Sequence, residues 1–299
     1  MYFIDFVKSI LKKHRIPVII YFIINVCIIS GVVKSLIGTQ GIGGVMLAFV
    51  LSIGIYALSI AIALSPIGER LLRMQTGCKK IKRIDYAERL VPLFKEVYGR
   101  AKEENPNLPD DIELFMNEDK APNAFALGRK TICLTRGMYE GATAEELKGV
   151  LAHEFAHIAK HDTDLILVVT VGNFIITSVV IIIRIIFRIM SIVGSVSNII
   201  SGDGDGVAIT GVIGDMIVGA LMWIWTKIGQ WLVFATSRSE EYLADEFALK
   251  LGYAEGLCKF LDKYSSSHSK GVFAVLSSSH PSRDDRIANL QKMGSTYRA

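Results

Sequence analysis

Two histidines with a glutamate between them, His153, Glu154 and His157 in the stretch LAHEFAHIAKHD, carry the chemistry most readily read from this chain. On an α-helix, positions i and i+4 lie one above the other, so both imidazoles can reach a single metal ion. Two neutral His ligands leave a Zn2+ site open to water, and a carboxylate within reach can take a proton from that water as it attacks. That is the minimum set for metal-assisted hydrolysis of a peptide bond. With six His in the chain, this pentapeptide would arise by chance about once in a hundred sequences, so a bland helix with two exposed His is the poorer reading.

Such a zinc site normally has a third protein ligand. His161 continues the spacing, but on a straight helix it lies about 6 Å beyond His157 and about 12 Å from His153. Ligands so spaced do not converge on bonds of about 2 Å, which leaves His161 a supporting or surface role. The stretch SRSEEYLADEFALK, residues 237–250, offers acids at helical spacing. Glu241 and Asp245 share a face, so Glu241 could ligate while Asp245 accepts a hydrogen bond from a ligating imidazole. Glu240 points about 100° away and shares its face with Ala244, which marks it as solvated. An ordinary charged helix face would contain the same acids.

The elements that must hold these residues divide between membrane and water. Half of the 299 residues are apolar, more than a soluble domain of this size carries, so membrane spans are expected. Residues 18–36 and 44–64 form a first apolar hairpin, and residues 165–183 and 207–234 a second, with Arg184, Arg188, Asp215 and Lys227 in or beside it. Residues 165–183 and 207–234 could instead be a buried or interfacial hairpin. The first stretch could be a signal peptide, since Lys8, Lys12, Lys13 and Arg15 precede it. Its long apolar run and the span that closely follows favour an uncleaved anchor. Arg70, Arg73, Lys79, Lys80, Lys82 and Arg83 follow the hairpin, while only Lys34 sits between its arms. Both ends should therefore face the cytoplasm.

The net charge of +4 is mostly juxtamembrane, where anionic lipid explains it, and no basic and aromatic strip points to nucleic acid. The four Cys are scattered without a CxxC, which argues against a Cys-based zinc site and for a reduced interior.

The water-soluble part is residues 78–163 and 235–299. Residues 85–102 place Leu90, Leu93, Phe94, Val97, Tyr98 and Ala101 at helical spacing. Strands are expected at 112–116, 124–127 and 131–134, forming a small sheet. Thr143 with Glu146 reads as a capping box that starts the His-bearing helix near Ala144. The expected architecture is thus mainly α: four transmembrane helices plus a cytosolic α+β zincin-like catalytic domain. Its parts are a membrane hairpin at 1–77, a first catalytic portion at 78–163, a second hairpin at 164–234 and a second catalytic portion at 235–299.

HEFAH followed by Asp162, a long hydrophobic excursion, then SRSEEYLAD resembles the HtpX-type membrane zinc metallopeptidases, relatives of the CAAX-prenyl endopeptidases and of a mitochondrial inner-membrane quality-control protease. Two N-terminal spans, PNAFALG at 122–128 and SHPSRDDRI at 279–287 match in order, so the resemblance covers nearly the whole chain. It implies one Zn2+ per chain held by His153, His157 and Glu241, with Asp245 as the downstream acid and Glu154 as general base. It implies that PNAFALG offers a sheet edge to a polypeptide substrate through Asn123, Ala124 and Phe125; a core strand beside a turn would fit the same residues. It brings His280 to the metal, to stabilise the oxyanion or to block the open position in a latent form. Arg286 would bind a carboxylate or cap Asp284 and Asp285. The implied protein is a multi-pass endopeptidase of the cell's inner membrane, acting in quality control on membrane proteins or their cytosolic loops. A latent or inactive zinc-bound scaffold, or a transporter or pore, are the alternatives from other classes.

Overall fold

The computed structural model of the chain describes residues 16–38, 40–174, 238–264 and 282–298, with Phe6 and isolated positions between 177 and 229. Helix α1, Ile16–Ile37, and helix α2, Gly41–Ala63, pack against each other across a short connection. The 23 residues of α2 carry no charge, and at 1.5 Å per residue they reach about 34 Å, enough for the hydrocarbon core of a bilayer. It is the one described helix long and apolar enough to cross a membrane; the apolar parts of the others are shorter. Of the expected span at 165–183, residues 165–174 are described, and Thr163–Gly172 is a short apolar helical stretch; most of 207–234 lies outside the described residues.

After α2 the chain turns at Ser65, whose hydroxyl accepts the Ile67 N–H, into the amphipathic helix α3, Pro66–Gln75. Pro66 suits that first turn because its missing N–H would have no helical partner there. A two-residue strand β1, Lys79–Lys80, leads to helix α4, Ile84–Glu104, which buries Leu90, Phe94, Val97 and Ala101 as its periodicity predicts. Strands β2 (Glu113–Asn117), β3 (Ala124–Leu127) and β4 (Thr131–Thr135) follow, the expected three within one residue at each end. The sheet order is β1-β2-β4-β3, with β2 and β4 parallel and the other neighbours antiparallel.

Both faces of this sheet are covered. Met116, Ala124, Ala126, Ile132 and Leu134 join one core with α4 and the helices that carry the histidines and acids. Phe115, Phe125, Leu127 and Cys133 point the other way, into a second core with α2, α3 and Leu165 to Val171. The strict alternation follows from the pleat. The sheet is therefore a partition between the catalytic helices and the apolar segments.

Short helix α5, Arg136–Gly141, precedes α6, Ala144–Ala159. The capping box at Thr143 and Glu146 forms in both directions, at 3.2 and 2.7 Å. His161, at φ 57°, ends the helical run, and α7, Thr163–Leu167, passes at once into a π-helical turn, Val168–Gly172. Helices α8 (Arg238–Lys250), α9 (Ala254–Lys263) and α10 (Arg283–Lys292) complete the described chain. α6 packs most extensively against α9, where Gly149 faces Leu257 and Gly256 faces Glu145, backbone to backbone.

A methyl at position 149 would collide with the Leu257 backbone, which has no rotamer to yield. Helix propensity alone would make Gly149→Ala stabilising by about 1 kcal/mol; overpacking costs about 1–3 kcal/mol and should win. Thermal unfolding of the variant in detergent should show a lowered midpoint.

Candidate metal centre

α6 is buried nearly all round, because Leu147, Val150, Leu151, Phe155 and Ile158 fill the catalytic core on several sides. That burial is what carries His153 (3% exposed) and Glu154 (6%) inside. α8 crosses beside it and brings Glu241 between the two imidazoles. Glu241 Oε2 lies 3.3 Å from His153 Nε2, Oε1 lies 3.3 Å from His157 Nε2, and the two imidazole Nε2 atoms are 3.2 Å apart.

These separations test the fit to a metal. Two donors about 2.05 Å from a tetrahedral centre lie about 3.3 Å from each other, which each pair matches, the two imidazoles meeting different oxygens of Glu241. Taking one donor from each residue, all three atoms fall within 4.8 Å, and they form the His/His/Glu group among the described residues. The charge also fits. Among the described residues, Glu154, Asp162, Glu241 and Asp245 surround the imidazoles, with the Arg286 guanidinium in contact. Buried carboxylates in excess call for a cation among them.

The surrounding groups fix the rings. His153 Nδ1 lies 2.9 Å from Asp245 Oδ1, so its proton sits on that side and the Nε2 lone pair faces the centre. Asp162 approaches His157 Nδ1 at 3.6 Å in the same sense. Asp245 is in turn gripped by Arg286, with Nε–Oδ2 at 2.8 Å and Nη2–Oδ1 at 2.5 Å. Arg286 Nη1 also lies 3.6 Å from Glu241 Oε2. Of the two roles read for Arg286 from sequence, carboxylate binding is the one observed, and the carboxylate is Asp245. Ser282 caps α10 instead, through Asp285.

His161 has left the helix and is not part of the His/His/Glu group. Glu240, expected to be solvated, is 7% exposed. The reason is that α8 is covered on adjacent sides, by α6 and by α9 and α10, so a residue about 100° from Glu241 is still inside. His280 lies outside the described residues. Among the described residues β3 is an edge strand, paired with β4 alone. Asn123 is bound through its N–H and C=O to Thr135. By parity Phe125 also faces β4, so Ala124 and Ala126 present their backbone groups outward. The Phe125 side chain lies in the second core, away from α6. Ala126 N–H donates to Glu154 Oε2 at 2.8 Å, a contact that sequence gave no signal for.

A helix-borne histidine pair completed by a carboxylate from a second helix, beside the edge of a small sheet, is the arrangement of HExxH metallopeptidases. A family model described as Peptidase family M48 matches residues 86–294, and the chain belongs to that family. It is 28% identical over 256 residues to a protease HtpX homolog of Tropheryma whipplei, covering 76% of this chain and 80% of that one. It is 25% identical over 291 residues to protease HtpX of Shewanella denitrificans, covering 89% and 95%. The crystal structure of S. mikatae Ste24p overlays with a TM-score of 0.42 at 20% identity, over 96% of this chain and 65% of that one. The chain is thus an HtpX-like metallopeptidase of family M48, and polypeptides are its substrates.

Without metal, the site predicts a pH optimum of stability. Burial opposes charge on His157, but Asp162, Glu241 and Glu154 outweigh it and hold its pKa well above 6.5; His153 is raised as well, burial and Arg286 being overcome by Asp245 and Glu241. Groups with raised pKa contribute fully below 6.5, and that contribution is lost as pH rises through the folded value. Burial pushes Asp245 up, but Arg286 and His153 hold it below 3.8, so its contribution is lost as pH falls through that lowered value. Thermal unfolding of the metal-free chain should therefore peak between about pH 4 and 6.5 and weaken toward pH 8. Zinc should abolish that alkaline loss.

Proposed function

We propose that the chain is a membrane-bound, zinc-dependent endopeptidase that cleaves membrane proteins or their cytosolic loops in protein quality control. The observation that carries this reading is the triangle of His153, His157 and Glu241 donors with the Glu154 carboxylate beside it. One Zn2+ per chain, held by those three side chains, would supply an acidified water and a polarised scissile carbonyl.

The chain's own groups do the rest. Ala126 N–H holds Glu154 Oε2, which leaves Oε1 to take the proton of the attacking water. Glu154 then passes that proton to the leaving amine nitrogen as the C–N bond breaks. Asp245, steadied by Arg286, keeps His153 in the tautomer with Nε2 unprotonated. The outward carbonyls of Ala124 and Ala126 accept N–H groups of the substrate, which lies alongside as an added antiparallel strand; the N–H groups of the same two residues are held by Asn123 Oδ1 and Glu154 Oε2. His280, in the sequence His-Pro-Ser, serves the oxyanion or a latent form.

The membrane organisation is a hairpin at 1–77 and a second at 164–234, with catalytic portions at 78–163 and 235–299. Contacts between apolar segments support this. Trp225 Nε1 donates to Asn25 Oδ1 at 3.0 Å, Tyr21 stacks on Trp225 at 4.9 Å, and Asn173 donates to the Tyr21 hydroxyl. Lipid offers polar groups no partner, so those inside a bundle pair with one another. Exposed Arg70, Lys79 and Lys82 beyond α2 favour a cytoplasmic face for the site. α7 follows α6 within a few residues, which keeps the metal centre close to the bilayer.

The test is cleavage of a model membrane protein by the zinc-loaded chain in detergent. Glu154→Gln should bind about one zinc and lose about a hundredfold to ten-thousandfold in turnover. Glu241→Ala should lose metal affinity by at least about a hundredfold, read by competition with a zinc chelator. Full zinc without cleavage in the wild type would favour the scaffold alternative instead.

A further inference from the structure

A second buried ionic cluster, separate from the metal centre, grips the far end of the edge strand. β3 ends at Leu127, and the chain turns through Gly128, at φ 58°, and Arg129 toward β4. Arg129 is 8% exposed and forks onto Asp164, which is 2% exposed, with Nε–Oδ1 at 3.0 Å and Nη2–Oδ2 at 2.5 Å. Thr163 Oγ1 donates to Gly128 O at 2.6 Å. From the other side, Glu69 of α3 accepts from Thr131 Oγ1 at 2.5 Å and from Arg129 N–H at 3.4 Å, and pairs with Arg73 at 3.2 Å. The fit is close enough that a Cβ on Gly128 would lie 2.7 Å from Glu69 Oε2.

None of these groups contributes to the metal centre. Nor does stability account for them, because the cost of desolvating a buried ion pair offsets most of its attraction relative to apolar side chains of similar volume. What a bidentate fork supplies is direction and distance. Here it sets the position of the turn that terminates β3, two residues beyond the Ala126 N–H that holds Glu154. Among the described residues β3 pairs with β4 alone, and on its other side the Ala126 N–H meets Glu154, so the end constraints bear on its place beside α6.

We propose that the Arg129–Asp164 pair, backed by Glu69, is a positioning clamp for the reaction. It keeps the edge strand where the Ala124 and Ala126 carbonyls meet a substrate backbone and Ala126 N–H meets Glu154. Because Asp164 opens the third apolar segment and Glu69 follows α2, the clamp ties that placement to the membrane-linked segments. This inference rests on β3 being the substrate edge.

The test uses the full chain in detergent and labelled casein as an unfolded polypeptide. In Arg129→Met/Asp164→Leu the ion pair becomes an apolar pair, so zinc content and thermal midpoint should stay at wild-type values. KM for casein should rise about tenfold with a smaller change in kcat, and amide exchange over residues 124–130 should quicken about tenfold. Arg129→Lys, which keeps the charge and loses the fork, should fall between, and it carries the same readings if the double variant does not fold. Wild-type KM, or wild-type exchange, in a folded, zinc-loaded variant overturns the clamp. If the wild type itself leaves casein intact, the peptidase mechanism fails separately; exchange then decides the clamp alone, unchanged rates overturning it and faster rates supporting it.

Discussion

Everything in the catalytic half of the chain depends on one electrostatic constraint: Glu241 must sit between two imidazoles, one buried and one half-buried. A carboxylate at 3.3 Å from each Nε2, enclosed with Glu154, Asp162 and Asp245, is untenable as a bare cluster of negative charge. It needs a cation at its centre, protons in the empty site or a divalent metal in the working one. The fold supplies that arrangement by joining two distant stretches. α6 presents the histidines, α8 the acid, and α10 delivers Arg286 to hold Asp245 in place.

The sheet explains how such a centre can stand next to apolar, membrane-directed segments. Its two faces belong to different cores, one with α4, α6 and α8, the other with α2, α3 and the start of the third apolar segment. Leu165, Leu167, Val168, Val169 and Val171 are all at most 3% exposed, so the third apolar segment begins inside protein. Movement of the apolar helices would thus be felt by β2 to β4 before it reached the metal ligands.

Local periodicity made much of this legible in the sequence. The His153/His157 pair, the Thr143 cap, the helix around Leu90 to Ala101 and the three longer strands all follow from patterns within a turn or a strand. Glu241 and Asp245 were readable because i and i+4 share a face. Glu240 was misread by the same logic, which assumes a single buried face where α8 has two. Arg286 carried no local signal of its partner, since Asp245 reaches it only through packing of α10 on α8. β1, two exposed lysines, has no strand pattern at all. The parallel pairing of β2 with β4 and the edge position of β3 are matters of topology, which spacing along the chain does not encode.

The central claim is that His153, His157 and Glu241 hold one metal ion together. X-ray absorption at the zinc edge of the purified, zinc-loaded chain tests it most directly. The expected spectrum shows a nitrogen and oxygen shell at about 2.0–2.2 Å with imidazole outer-shell scattering fitting two histidines, and a His153→Ala/His157→Ala chain loses that signature. A sulfur shell at about 2.3 Å, or a spectrum the double variant leaves unchanged, would place the metal elsewhere and contradict it.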